Sequence, residues 1–72
     1  MATLDLHGTK HADVFRKVDR FIGEHIQRGT YEVEIITGFS KPMKKLVEDV
    51  LNDYGLTAEE SWMNAGKLII KM

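Results

Sequence analysis

The hydrophobic and polar positions of the chain follow two different periods. Residues 4–8 (LDLHG) and residues 31–37 (YEVEIIT) alternate with the two-residue period of a strand. In the first of these segments, two leucines share one face of the predicted strand, while Asp5 and His7 share the other. Gly8 then lets the chain leave the strand sharply, because glycine adopts backbone conformations that other residues avoid.

Residues 14–26 instead carry apolar side chains at three- and four-residue intervals, the period of an amphipathic helix. Thr9 is the predicted N-cap of this helix, and Asp13 lies in its first turn, where the helix dipole favours an acid. Gly29 is its expected end. His25 lies on the apolar stripe, so we interpret it as a histidine at the edge of the core.

The second half of the chain predicts one more helix and two more strands. A helical pattern runs from residue 43 to residue 54 and ends at Gly55, and Pro42 suits its first turn. Residues 56–63 form a weaker strand candidate that ends in Trp62. Residues 64–66 (NAG) indicate a turn, and residues 67–72 predict a closing strand.

The predicted order is therefore β-α-β-α-β-β, in one domain that spans residues 1–72. A right-handed crossover in each βαβ unit puts both helices on one face of the four-stranded sheet. The expected architecture is a two-layer α/β sandwich whose other sheet face is less covered.

Composition narrows the classes of protein to which this domain can belong. With 43% hydrophobic and 29% charged residues the chain is expected to fold, and a net charge of −1 argues against a wholly basic nucleic-acid binder. There is no cysteine, which excludes disulfides and thiolate metal sites. Without a membrane-spanning apolar run or a signal-peptide pattern, we expect a cytoplasmic location and no membrane partner. The chain begins with methionine and holds the whole pattern, so we expect it to stand alone.

The first two strands are predicted to be parallel, so the loops that follow them meet at one edge of the sheet. Residues 9–11 and 39–41 should then lie near His7. The helix that begins at Pro42 directs its N-terminal N–H groups to this edge, and three lysines follow at positions 41, 44 and 45. This combination suits a phosphate, although the lysines are equally explained as a solvated cluster.

The same pattern leaves two interpretations of the polar sheet face. Asp5, His7, Glu32 and Glu34 are expected on one surface, where they could bind a divalent cation or simply face water. His7 can likewise be a reactive imidazole, or a residue that satisfies a loop carbonyl while Asp5 caps a turn.

Several of these segments together resemble the small MutS-related (Smr) domain. The resemblance rests on residues 4–8 (LDLHG), a helix with Val18 and FI at residues 21–22, residues 33–38 (VEIITG), a second helix, and residues 64–70 (NAGKLII). It implies a fold similar to the C-terminal domain of translation initiation factor 3. Several members of the family nick DNA or cleave RNA, and others are nucleic-acid- or ribosome-associated modules.

The resemblance assigns roles to Asp5 and His7 as catalytic residues, with His7 as general acid or base and Asp5 orienting it or helping to hold a metal ion. The sequence leaves open whether such an endonuclease needs a cofactor, and Mg²⁺ is the candidate if it does. The nucleic acid, DNA or RNA, is expected to contact the residues of the two loops and the following helix starts: Lys10, His11, Thr37, Gly38, Phe39, Ser40, Lys41, Lys44 and Lys45.

One departure from the family pattern bears on this function. The family's second motif usually reads Thr-Gly-x-Gly or His-Gly-x-Gly, whereas here Ser40 replaces the second glycine and the loop is about one residue shorter. This loss restricts how closely the backbone can approach a phosphate. Phe39 can compensate by stacking on an unpaired base, or it can be buried in the core. A non-catalytic module that binds structured RNA or the ribosome, and a protein-binding adaptor, are therefore the alternatives to an endonuclease.

Overall fold

The structure, a computed structural model, describes residues 1–61 and 63–72. Within these residues the chain forms four strands and two helices in the predicted order: β1 (Ala2–Asp5), α1 (His11–Gln27), β2 (Glu32–Ile36), α2 (Lys41–Asp53), β3 (Ala58–Ser61) and β4 (Asn64–Lys71). Both helices end two residues before the glycine predicted to stop them, and Pro42 lies in the first turn of α2. The predicted strand end at Trp62 lies outside the described residues.

The described strands form one mixed sheet in the order β1-β2-β4-β3. β1 runs parallel to β2, and β4 runs antiparallel to both of its neighbours. The two helices contact each other and share a single core with one face of this sheet. The predicted two-layer α/β sandwich is therefore confirmed.

The core between the two layers is aliphatic and drawn from every predicted apolar stripe. Val33 pairs with Ile70, and Ile35 pairs with Leu68, so alternate residues of β2 and β4 face the helices together. Fully burying one such side chain stabilises the folded state by about 1.5–3 kcal/mol. A shift in strand pairing by one residue would lose this burial, so the hydrophobic pattern decides the register of the strands. The buried set is Leu6, Val14, Val18, Ile22, Val33, Ile35, Met43, Val47, Val50, Leu51, Leu68 and Ile70.

His25 lies at the edge of this core, as its place on the apolar stripe predicts. Its side chain is buried, its Nδ1 shares a 2.8 Å hydrogen bond with the Thr30 hydroxyl, and its ring packs edge-on against Phe21. The histidine thus joins the end of α1 to the segment that enters β2, and it is unavailable for chemistry at the surface.

The start of α1 differs from the prediction. Lys10, and not Thr9, is the N-cap residue, and its side chain makes no capping hydrogen bond. Thr9 is used elsewhere: its N–H donates to the Leu6 carbonyl at 2.9 Å, and its hydroxyl accepts a 3.3 Å hydrogen bond from Lys17 Nζ. Because Thr9 closes the preceding turn, the helix can begin only two residues later.

The turn predicted at residues 64–66 is also wrong, because these residues already belong to β4. Asn64 pairs with Ser61 of β3 beside an irregularity in the ladder at Glu60 and Ser61. The turn signal is nevertheless real as local chemistry, since Asn64 Oδ1 accepts a hydrogen bond from the Gly66 N–H at 2.8 Å. This bond is typical of turns, but here the backbone stays extended.

Candidate nucleic-acid interface

The carboxyl ends of β1 and β2 lie side by side and place two loops at one edge of the sheet. Asp5, the last residue of β1, is in register with Ile36, and the next N–H, that of Leu6, donates to the Ile36 carbonyl at 2.9 Å. β1 and β2 therefore end at the same level, and the loops that follow them leave the sheet side by side. We call this surface the loop edge and define it as the turn of residues 6–9, Lys10, His11 and the loop of residues 37–41.

A tight turn holds His7 at the loop edge. The Thr9 N–H closes the turn on Leu6, and Gly8 occupies it with a φ of 77°, a conformation that strongly favours glycine. β1 ends at Asp5, so His7 lies in the turn and does not share a strand face with Asp5 as predicted. Both side chains are exposed.

Asp5 contacts the main chain of His7. Its Oδ1 accepts a 2.8 Å hydrogen bond from the His7 N–H, the side-chain-to-backbone contact of an Asx turn. The carboxylate therefore fixes the turn that carries the imidazole, which is the turn-capping alternative for Asp5. No carboxylate within residues 1–61 and 63–72 makes a hydrogen bond to the His7 ring in the structure.

The second loop is anchored to β4 by hydrogen bonds to one carbonyl. The N–H groups of Thr37 and Gly38 both donate to the Gly66 carbonyl, at 2.9 Å and 3.0 Å. Thr37 is itself buried, and its hydroxyl donates to the Gly38 carbonyl at 2.9 Å. A Cβ at Gly66 would lie 3.2 Å from Gly38 Cα, so a larger residue at position 66 would push the loop away by a few tenths of an ångström. Sequence reasoning missed this anchor, although residues 64–66 (NAG) carry its signal.

Phe39 and Ser40 have opposite environments in this loop. The Phe39 side chain is 78% exposed, which excludes its burial in the core. Ser40 is the N-cap of α2, and its Oγ accepts a 3.2 Å hydrogen bond from the Met43 N–H. With a φ of −71°, Ser40 needs none of the conformational freedom of the glycine that the family places there.

The first turn of α2 offers fewer free donors than the sequence predicts. The Ser40 side chain uses the Met43 N–H, the Ser40 carbonyl accepts from the Lys44 N–H at 3.1 Å, and Pro42 has no N–H. The N-terminus of α1, which lacks a side-chain cap, lies at the same edge. The phosphate position at the start of α2 stays a prediction, and the turn around His7 and Lys10 is a second position at the same edge.

The predicted lysines divide into paired and unpaired groups. Lys44 Nζ lies 2.8 Å from Glu60, with only 14% of its side chain exposed, and Lys45 Nζ lies 2.6 Å from Asp49. The hydrogen bond and charge of Asp49 raise the pKa of Lys45 above its ordinary value. Lys10 and Lys41 are exposed and form no ion pair among the described residues.

Four of the residues predicted to bind nucleic acid are thus exposed at the loop edge. The others make hydrogen bonds or ion pairs within the protein. His7, as the first residue after the buried Leu6, is also exposed there. The predicted binding residues exposed at the loop edge are Lys10, His11, Phe39 and Lys41, and Lys45 is exposed on α2 outside the loop edge.

The described residues do not assemble a metal site from the protein alone. No group of three or more His, Asp or Glu side chains comes together within residues 1–61 and 63–72. Glu32 and Glu34, which the sequence places on the same sheet face as Asp5, lie in register with Lys71 and Ile69 of β4. A Mg²⁺ ion on this face would take most of its ligands from water and substrate phosphates, and we assign it no protein residues.

These features define a small two-layer α/β domain with an exposed histidine, aromatic ring and lysines at one sheet edge. The Smr domain family model matches residues 4–71. The chain therefore belongs to the Smr domain family, a family of nucleic-acid-binding and endonuclease-type domains. Searches of curated proteins and of solved structures gave no significant match. No helix among the described residues is long and apolar enough to cross a membrane.

Proposed function

We propose that this Smr domain binds single-stranded nucleic acid at the loop edge. The observation that carries the proposal is the exposure of Phe39, at 78%, two residues before the exposed Lys41. An aromatic ring on which an unpaired base can stack, beside a cation for the adjoining phosphate, is the usual arrangement of single-strand binders. If Phe39 were buried in the core, no ring would be available at this edge for a base to stack on.

Binding can be tested with an exposed aromatic residue as the control. Phe39→Ala should weaken binding of a short oligonucleotide by about 1–3 kcal/mol, or roughly 5- to 150-fold. Tyr31 is equally exposed, at 77%, but lies at the opposite end of β2, so Tyr31→Ala should leave binding unchanged. Fluorescence anisotropy with single-stranded DNA and RNA measures both. Equal losses from the two variants would contradict the proposed surface.

We further propose that His7 transfers protons during slow phosphodiester cleavage. A ring nitrogen of His7 would take a proton from the attacking water as its oxygen bonds to phosphorus. The bond from phosphorus to the leaving oxygen then breaks, and His7 returns the proton to that oxygen. The turn closed by Thr9 and held by Asp5 supports this role, because it fixes the backbone that presents the imidazole.

Cleavage should be compared between wild type and His7→Ala, purified identically, on RNA and plasmid substrates with and without magnesium. The variant should lose most activity, since general acid–base catalysis contributes about 10²–10⁴-fold, while still binding oligonucleotides. Asp5→Asn keeps an oxygen acceptor for the His7 N–H and should retain activity, whereas Asp5→Ala should lose it. Equal cleavage by wild type and His7→Ala would refute the catalytic assignment.

A non-catalytic binding module is the second candidate, and one observation favours it. The Asp5 carboxylate bonds to the main chain of His7 and not to its ring. An imidazole that no carboxylate orients is less well placed for proton transfer, although the loop edge would still bind RNA. Binding without cleavage on every substrate would support this module, and absence of binding to any nucleic acid would support a protein adaptor.

A further inference from the structure

A groove lies between β1 and α1, and the proposed binding at the loop edge does not use it. It has a volume of about 360 Å³ and is lined by Leu4, Arg16, Lys17, Arg20, Phe21 and Glu24. β1 is an edge strand, so no described strand pairs with its outer side. Leu4 and Phe21 are partly buried against the core and supply apolar surface, while three cations and one carboxylate form the rim.

The two arginines on the rim are accessible despite their ion pairs. The Arg16 side chain is 69% exposed and 3.5 Å from Asp13, and the Arg20 side chain is 78% exposed and 3.2 Å from Glu24. Both pairs are exposed contacts within one helix, which water and salt weaken. A phosphate can replace either carboxylate, because a guanidinium binds the two groups through the same donors.

The groove is continuous with the loop edge. Lys17, which lines the groove, donates from Nζ to the Thr9 hydroxyl at 3.3 Å, and Thr9 closes the turn that carries His7. α1 starts at the loop edge and rises about 1.5 Å per residue, so Arg20 lies about 14 Å along the helix from His11. A polymer that occupies the loop edge therefore meets these cations as it continues along α1.

We propose that the groove binds the next nucleotides of the single strand held at the loop edge, an inference that rests on the proposed function. Arg16, Lys17 and Arg20 contact its phosphates, and an unpaired base lies against the apolar surface of Leu4 and Phe21. The affinity of the domain therefore depends on the length of the strand, because a short oligonucleotide fills the loop edge only and a longer one also fills the groove.

The test compares a series of oligo-U and oligo-dT strands, from trinucleotide to dodecanucleotide, by fluorescence anisotropy at several salt concentrations. The wild type is measured beside the double variant Arg16→Gln with Arg20→Gln. The control is Arg28→Gln, an exposed arginine just after the far end of α1. All three positions are exposed, and thermal unfolding by circular dichroism verifies that each variant is folded.

For wild type and Arg28→Gln, affinity should rise once the strand is long enough to reach the groove. The double variant should bind the trinucleotide normally but lose that rise. Its salt dependence on long strands should be shallower by about 1.4 in the slope of log K against log salt, from two lost single-strand phosphate contacts.

Failure of this inference is distinct from failure of the proposed function. If wild type and double variant bind every length equally well, the groove takes no part and the inference is overturned while the loop edge stands. If the trinucleotide and longer strands bind independently of Phe39, the proposed function fails first. If the Leu4 and Phe21 resonances shift with an oligoglutamate peptide and not with oligonucleotides, the groove takes an acidic peptide, which also overturns the inference.

Discussion

The close approach of β4 to the second loop predicts a specific cost for Gly66→Ala. An added Cβ would lie 3.2 Å from Gly38 Cα, 3.3 Å from Gly38 C and 3.2 Å from Asn64 Oδ1. Carbon atoms pack best at about 3.5–4.0 Å, so the loop must move away by a few tenths of an ångström. The same movement stretches the two hydrogen bonds that the loop donates to the Gly66 carbonyl.

The size of the effect follows from two opposing contributions. Overpacking a fixed site costs about 1–3 kcal/mol, while replacing glycine by alanine reduces the conformational entropy of the unfolded chain and returns about 0.4–1 kcal/mol. We expect a net loss of about 1–2 kcal/mol in the free energy of unfolding. In a domain of this size, that loss lowers Tm by about 4–8 °C for each kcal/mol.

Urea denaturation measures this loss, and the dependence on urea concentration should be unchanged because the exposed surface is the same. The amide resonances of Thr37 and Gly38 should shift as their hydrogen bonds lengthen. Gly23→Ala is the matched control, since its Cβ would meet only the Tyr54 hydroxyl at an ordinary 3.5 Å, and it should stabilise α1 by about 0.5–1 kcal/mol. A Gly66→Ala protein as stable as wild type, with unshifted resonances, would refute the reasoning.

Two further predictions concern the helices. Tyr54→Phe removes the 2.7 Å hydrogen bond to Asp19 and should lower stability by about 0.5–1 kcal/mol. This bond raises the pKa of Tyr54 above 10.0, so the stabilisation by the hydrogen bond should be constant below pH 10 and disappear as pH rises through the raised pKa. If the difference in urea midpoint between wild type and Tyr54→Phe grows at high pH, this reasoning is wrong. Lys44→Ala should barely change the salt dependence of oligonucleotide binding, because Glu60 already pairs with Lys44, whereas Lys41→Ala should reduce the slope by about 0.7; equal slopes would contradict this difference.

The fold was predictable because its register is decided by burial. Val33 and Ile35 alternate with polar residues, and a shift of the pairing by one residue would expose both of them. The pattern therefore decides which face of β2 packs against the helices. The same reasoning places His25 inside. It failed at Asn64, where the turn chemistry is present but the strand continues, because the Gly66 carbonyl pairs with a loop far away in sequence.

The candidate site was predictable in position but not in contacts. Parallel strands dictate that His7 and Phe39 lie at one edge, and the sequence suffices for that. Whether Lys44 faces solvent or Glu60 depends on where β3 runs relative to α2, a long-range feature that no local pattern encodes. The anchoring of the second loop and the groove beside Lys17 are missed for the same reason, since each joins segments that are remote in the sequence or on separate elements.

Ser40 allows a test of why this chain departs from the family's second glycine. Its hydroxyl occupies the Met43 N–H, a donor that a phosphate at the start of α2 would otherwise use. Ser40→Ala frees this donor and should cost about 0.5–2 kcal/mol of stability, whereas Ser40→Gly frees it, restores backbone freedom and should cost only a few tenths. If the hydroxyl is what limits phosphate binding, both variants should bind oligonucleotides more tightly than wild type. If backbone freedom is what matters, only Ser40→Gly should gain affinity or cleavage rate. Unchanged affinity and cleavage in both folded variants would refute the idea that Ser40 limits phosphate binding at the start of α2.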